Sequence, residues 1–339
     1  MGVVKVISAH ERILGTLYGQ AIGDAVGMPT ELWPRPRIQC EFPDGVTTFM
    51  AGPKTNAVAK YYQRGAFTDD TSQALAILDS LMTTNWQPDE ADLVRHVLAW
   101  AESADAWERN ILGPSSKAAL LAVTNGENPQ PVTDVALTNG AAMRVAPLGT
   151  LFKPDQLTAL VDFVAQVTRI THSSDVAIGG ACIVAGAVTA AMVDADWDTM
   201  MTFALRAGDA GTQLGAATWS ARLRARVELG LALTQRFRYD PERFSQSVYE
   251  LLGTGTMIAE SVPAAISIAY YTRDVKTCAL MCANLGGDTD TIGAMATAIC
   301  GAKTGIRAID PAWQRVIDEQ NAQHDLRVYA AQMARVISN

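Results

Sequence analysis

Two short acidic segments hold the residues of this chain best suited to chemistry. They are Phe67-Thr68-Asp69-Asp70-Thr71 and Gly286-Gly287-Asp288-Thr289-Asp290-Thr291. Each, taken alone, reads as a helix start. Thr-Asp-Asp ahead of an apolar run is an N-cap followed by acids in the first turn, where the helix dipole favours negative charge. Asp288 and Asp290 stand at i and i+2, a spacing with which a turn aims two carboxylates at one point, and the glycine pair before them permits a sharp bend. Together the segments supply four carboxylates and several hydroxyls, with no histidine or cysteine. An all-oxygen donor set selects magnesium, calcium or manganese over zinc. Four clustered acids repel one another strongly, and a pair of divalent cations, ~3.5–4 Å apart, would balance them. Spacing alone does not bring the segments together in space, because most of the chain lies between them.

The elements that must position these residues read as helices. After Asp70, residues Ala74, Ile77, Leu78 and Leu81 recur with the spacing of one helix face. Pro88-Asp89-Glu90 opens a second helix bearing Leu93, Val94, Val97 and Leu98, and Pro154-Asp155 a third bearing Leu157, Leu160, Val161 and Val164. Pro241-Glu242 begins another, and Asp274 is placed to cap one that runs through Cys282. The spacing predicts further helices over roughly 290–303 and 311–337. Val3 to Ile7 reads as a short extended piece. The stretches 33–66 and 125–147 read as long loops, which in a compact domain are often functional. Neither hairpin-linked strands nor strand–helix alternation is visible. The expectation is a single all-α domain over residues 1–339.

Composition excludes several classes. The chain has 339 residues, 49% hydrophobic and 18% charged, so it can bury a large core and is not disordered. A net charge of −8 argues against a nucleic-acid polymer as partner, since such binders draw affinity from basic patches. Cys40, Cys182, Cys278, Cys282 and Cys300 form no CxxC pair and read as reduced thiols of a cytosolic protein. No signal peptide is visible. Val176 to Val193 is uncharged and nearly long enough to span a bilayer. Its Ala and Gly content, bracketed by Asp175 and Asp194, reads instead as a core helix, so no membrane partner is expected.

The two acidic motifs as a pair resemble the signature of the ADP-ribosylglycohydrolase family. Other stretches resemble the family in the same order: Leu17-Tyr18-Gly19-Gln20-Ala21-Ile22-Gly23-Asp24 its N-terminal helix, Asn139-Gly140-Ala141-Ala142-Met143-Arg144 its substrate loop, and Ile170-Thr171-His172-Ser173 a ligand-contacting turn. The likeness runs from about Arg12 to about Gly305. It implies a mostly orthogonal helix bundle with a metal cleft at helix ends. It further implies two Mg2+ cofactors, with Mn2+ able to substitute, bound by Thr68, Asp69, Asp70, Asp288, Asp290 and Thr291. Glu31 matches a glutamate on a mobile loop at the metal site, and Glu31 or Asp290 would position or deprotonate the water. Asn139, Gly140 and Ala141 would meet the ribose and phosphate region, and His172 the distal ribose. Gly113-Pro114-Ser115-Ser116 lies where the family has its phosphate loop, although only one glycine stands there, so contacts by Gly113 and Ser115 follow less directly.

The implied activity is hydrolysis of an N- or O-glycosidic bond at the anomeric carbon of an ADP-ribosyl group carried by a protein or a small conjugate. Two alternatives stay open. One is hydrolysis of a smaller, nucleoside-like N-riboside. The other is a non-enzymatic structural or binding role, against which the complete ligand set speaks. Asp24 reads equally as support for the metal site or as a polar contact within its own helix, and Arg144 as a buttress of the substrate loop. Trp33, Trp100, Trp107, Tyr61 and Tyr62 all qualify as a base-stacking ring. Gly253-Thr254-Gly255 lacks the third glycine of a dinucleotide fingerprint, and no Gly-x-Ser-x-Gly or His-Glu-x-x-His motif occurs. Spacing says nothing of oligomeric state.

Overall fold

A stripe of glycines fixes the centre of the molecule. In the first helix Gly15, Gly19, Gly23 and Gly27 recur at every fourth position, and so do Thr289, Gly293, Thr297 and Gly301 in a helix near the other end of the chain. The two stripes face each other in antiparallel register. A Cβ added at Gly15 would lie 2.2 Å from the carbonyl oxygen of Gly301, and one at Gly23 2.2 Å from that of Gly293. Only backbones without side chains approach so closely, which is the packing that small-residue spacing of this kind permits. Thr297 Oγ1 lies 2.6 Å from the carbonyl oxygens of both Gly19 and Gly293, so this hydroxyl within the seam is satisfied on the partner helix or its own.

The computed structural model describes residues 6–109 and 111–338. Its helices are α1 (Ala9–Gly27), α2 (Arg35–Glu41), α3 (Asp69–Thr83), α4 (Glu90–Ser103), α5 (Pro114–Thr124), α6 (Gln130–Thr133), α7 (Leu157–Arg169) and α8 (Asp175–Met192). They continue as α9 (Trp197–Thr212), α10 (Leu223–Arg236), α11 (Pro241–Ser247), α12 (Ile258–Thr272), α13 (Val275–Ala283), α14 (Thr289–Thr304), α15 (Pro311–Gln320) and α16 (Leu326–Ser338). No β-strand occurs among the described residues, only isolated bridges such as Trp33 with Gly287 and Thr138 with Met257. The all-α expectation holds.

Local signals set most of the boundaries. Thr68 caps α3, Asp89 α4, Asp240 α11 and Asp274 α13, each accepting from a backbone amide of the first turn. α8 is the helix long and apolar enough to cross a membrane, but 89% of it is buried, and it packs on α9, α7, α12 and α14 as the core's central rod. Three expectations need correction. The helix expected over 311–337 is two, because the chain turns at Asn321, whose amide is held by the carbonyls of Gly65 and Ile317. The stretches 33–66 and 125–147 are not plain loops: they contain α2, α6 and several single 3-10 turns. Val6 and Ile7 form no strand, and Val3 to Lys5 lie outside the described residues.

Candidate active site

The seam between α1 and α14 delivers three acids to one place. Gly27 at the end of α1 rests on Thr289 at the start of α14, where a Cβ would come within 2.3 Å of the Thr289 carbonyl oxygen. Asp24, one turn earlier on α1, therefore lies beside Asp290. Asp24 is fully buried and reaches a third element: Oδ1 accepts from the Thr68 amide at 2.8 Å, and Oδ2 accepts from the Thr71 amide at 3.0 Å and its hydroxyl at 2.6 Å. A carboxylate from α1 thus caps α3, fixing Asp69 and Asp70 against the end of the seam. Of the two roles open to Asp24 from the sequence, the structure gives it the one that supports the site.

The second acidic motif is aimed by its turn. Gly286 and Gly287 have φ of +93° and +89°, which favour glycine, and a Cβ on Gly287 would lie 2.1 Å from the Thr254 carbonyl oxygen. The amide of Asp288 donates to that same carbonyl at 2.7 Å. Two backbone bonds, Leu32 N to Gly287 O at 2.7 Å and Gly287 N to Trp33 O at 2.8 Å, splice the Glu31 segment onto this turn. Buried Arg35 secures the splice by donating to the carbonyls of Asn284 and Leu285, both at 3.3 Å. Glu31 is tied to the Asp288 motif, and Asn56 Nδ2 holds its carbonyl at 2.9 Å.

The result is a cavity of about 210 Å³ whose floor is acid. Asp24, Asp70 and Asp290 bring carboxylate oxygens within 4.8 Å of one another, and so do Glu31, Asp288 and Asp290. The two triplets share Asp290, so a cation held by either would have it as a ligand. Burial raises every one of these acids first, and the neighbouring charges add to it at most of them. Asp24 and Asp288 rise to about 6 and Asp69 to about 8, while Glu31, Asp70 and Asp290 stand well above the ordinary carboxylate range. Three buried carboxylate oxygens, Glu31 Oε2, Asp70 Oδ1 and Asp290 Oδ1, have no hydrogen-bond donor. Buried anions without donors are costly unless a cation meets them. Orphaned hard oxygens in two triplets fit divalent cations with a taste for carboxylate.

The sequence-predicted residues divide by position. Asp69, Asp70, Asp288, Asp290, Thr291 and Glu31 line the cavity, as do Asn139, Gly140 and Gly113. Asn139 Nδ2 donates to Asp288 Oδ2 at 2.5 Å and to Ser261 Oγ at 3.1 Å, so its first partner is the acid floor. Thr68 is buried behind the floor, its hydroxyl 3.1 Å from Asp70 Oδ2. Ala141 is buried beneath Gly140 and does not reach the cavity. Ser115 lies just outside it, donated to by Thr138 Oγ1 at 2.9 Å, and Ser116 takes the lining position instead. The expected phosphate loop is the first turn of α5, with Gly113 at its N-cap and Pro114 at N1.

His172 departs furthest from expectation. It has no exposed surface, its ring nitrogens are 2.8 Å from Thr171 Oγ1 and 3.0 Å from Thr138 Oγ1, and it stands behind the cavity wall rather than in it. Burial and the nearby Arg144 charge lower its pKa to about 3, so the ring is neutral. Arg144 is the buttress the sequence favoured: fully buried, it donates to Gln73 Oε1 at 2.8 Å and Thr171 Oγ1 at 2.7 Å. Sequence reasoning missed Gln20 and Gln73, which support the floor, and Thr138, Met143, Ile111, Leu112 and Val58, which shape the walls. A signal existed for the first two, since Gln20 stands one turn before Asp24 and Gln73 one turn after Asp69.

Known proteins resemble this chain along most of its length. The ADP-ribosylglycohydrolase family model matches residues 6–339. An Escherichia coli protein named YegU, itself uncharacterised, is 44% identical over 326 residues, covering 96% of this chain and 97% of its own. The ADP-ribosyl-dinitrogen reductase glycohydrolase of Rhodospirillum rubrum is 26% identical over 315 residues, covering 92% of each chain. A solved ADP-ribosylglycohydrolase-related protein complex superposes with a TM-score of 0.71 over 98% of this chain and 100% of that one, at 22% identity, and so shares the fold.

Proposed function

The chain belongs to the ADP-ribosylglycohydrolase family of hydrolases, and from that premise we propose that it cleaves the bond at the anomeric carbon of an ADP-ribosyl group on a protein side chain or small conjugate, with two Mg2+ as cofactors and Mn2+ able to replace them. The observation that carries this is the pair of carboxylate triplets sharing Asp290, with an orphaned oxygen on each of Glu31, Asp70 and Asp290. Asp69, Asp70, Asp288, Asp290 and Glu31 would hold the cations, with Thr68 and Thr291 hydroxyls beside them. Bound cations supply charge that offsets the acid floor and orients ribose hydroxyls.

The chain's own groups do the rest. Cleavage at the anomeric carbon builds positive, oxocarbenium-like charge, which a floor of carboxylates stabilises at close range. Glu31 and Asp290 carry oxygens free of hydrogen bonds at the cavity, and one of them accepts the proton of the attacking water. Asn139, locked to Asp288 and Ser261, presents a fixed edge to the sugar. The walls Val58, Ile111, Leu112 and Met143 exclude water from it.

A smaller N-riboside is the alternative. The cavity favours it, because about 210 Å³ is below the ~300–1,000 Å³ usual for ligand pockets. One activity panel separates the two: ADP-ribosyl-arginine, ADP-ribosyl-serine, O-acetyl-ADP-ribose and simple nucleosides, each with Mg2+ and with chelator. Release of ADP-ribose that stops on chelation is the expected result. Turnover of nucleosides alone would replace the proposal by the alternative, and turnover unaffected by chelation would remove the cations from it.

A further inference from the structure

A continuous chain of hydrogen bonds, buried at its centre and half-buried at its ends, runs behind the cavity from one wall to the other. It starts at Arg144, which can only donate. On one side Arg144 donates to Gln73 Oε1, and Gln73 Nε2 donates to Asp69 Oδ2 at 3.1 Å, on the acid floor. On the other side Arg144 donates to Thr171 Oγ1, which lies 2.8 Å from His172 Nδ1; His172 Nε2 lies 3.0 Å from Thr138 Oγ1, and Thr138 donates to Ser115 Oγ at 2.9 Å, in the first turn of α5.

One assignment matches every proton from Thr171 to Ser115 with an acceptor. Thr171 Oγ1 accepts from Arg144 and gives its single proton to His172 Nδ1, the bare nitrogen in this assignment. The proton of a neutral ring is therefore on Nε2, and it goes to Thr138 Oγ1. Thr138 spends its own proton on Ser115. The opposite tautomer would leave Thr171 facing two donors with its own proton unmatched, in a place without water-exposed surface at Arg144, Thr171 or His172.

We propose that Thr138 is a positioning residue which, held by His172 locked in its Nε2–H form, acts through Ser115 to fix the first turn of α5 against the acid floor and so sets the affinity for the phosphate-bearing part of the substrate. Two further facts place α5 as that wall. Ser116 Oγ and His172 Cε1 both crowd Gly140, 3.2 and 3.0 Å from where its Cβ would be. Gly113, Pro114 and Ser116 line the same cavity as Asp69 and Asp288. The inference rests on the ADP-ribosyl reading of the site for its ligand, but not for the tautomer.

The test is a double-mutant cycle read by calorimetric binding of ADP-ribose in Mg2+, with Thr138→Val, Ser115→Ala and the double variant. Loss of one linking hydrogen bond predicts affinity lowered about three- to tenfold in each single variant. The double variant is expected to be no weaker than the weaker single one, because both break the same link. Thr138→Ser, which keeps the hydroxyl, is expected to bind as wild type. Wild-type affinity in Thr138→Val, or additive losses in the double variant, overturns the proposal. Failure of the wild-type protein to bind ADP-ribose overturns the ligand reading instead. The chain is then judged by the imidazole nitrogen spectrum of His172 in the wild-type protein: a protonated Nε2 and bare Nδ1 are expected, and an Nδ1–H ring or an imidazolium at neutral pH overturns it.

Discussion

The two sides of the cavity are built by different means. The acid floor is a by-product of close backbone packing: Gly27 sits so close to Thr289 that a single methyl would collide with backbone. The first turn of α5 is more open. A Cβ on Gly113 would meet nothing within 4 Å, and Ser115 is joined to Thr138 by a hydroxyl hydrogen bond. Six acids that repel one another can be held together only by a frame too rigid to let them separate, so the floor needs the seam. A wall that must admit and release a substrate does not.

The largest effect should come from breaking the frame. Gly23→Ala places a methyl 2.2 Å from the Gly293 carbonyl oxygen, and overpacking of backbone against backbone is expected to cost about 3 kcal/mol or more. Gly113→Ala at the exposed start of α5 should change stability by less than about 0.5 kcal/mol. Thermal melting of both checks the contrast, and equal losses would erase the distinction between floor and wall.

Next in size is the split between activity and stability at the floor. Asp290→Asn is expected to abolish release of ADP-ribose while leaving the melting temperature in chelator unchanged or higher, since it removes one of several mutually repelling acids. A melting temperature that drops by many degrees would mean that Asp290 holds the fold as well as the site.

Acidity gives a third check, with its sign fixed by the raised pKa values. A carboxylate whose folded-state pKa lies above the ordinary value near 4 binds its proton more tightly in the native state. Its stabilising contribution is full below pH 4 and is lost as pH rises through the folded value. With Asp24 and Asp288 near 6 and Asp69 near 8, the protein in chelator should lose stability progressively between about pH 4 and 8. Mg2+ should flatten that slope and raise the melting temperature at pH 8 most, by about 2.7 kcal/mol of stabilisation at a hundredfold excess over Kd. A metal effect independent of pH would separate cation binding from these acids.

The smallest effect is expected on the wall itself. Ser116→Ala removes one hydroxyl from the lining and should raise KM about threefold with kcat nearly constant, measured on whichever substrate the panel selects. A fall in kcat without a rise in KM would move Ser116 from binding to chemistry.

Features that depend on neighbours in the chain were legible from the residues directly. Thr68, Asp89 and Asp274 cap helices because a short oxygen-bearing side chain serves the amides two or three residues on, and apolar spacing fixed the faces that follow. The two acidic motifs were legible as oxygen donors for the same reason: their chemistry is in their residue types. Long-range packing had to settle that the motifs share Asp290 between two triplets, because the glycine stripes of α1 and α14 are many residues apart and become a frame only on contact. Packing also settled that Asp24 serves α3 and not its own helix. It placed His172 behind the wall, where both ring nitrogens meet threonine hydroxyls and the ring is not among the residues that line the cavity. Local types set which groups could act, and the register of two distant helices set where they stand.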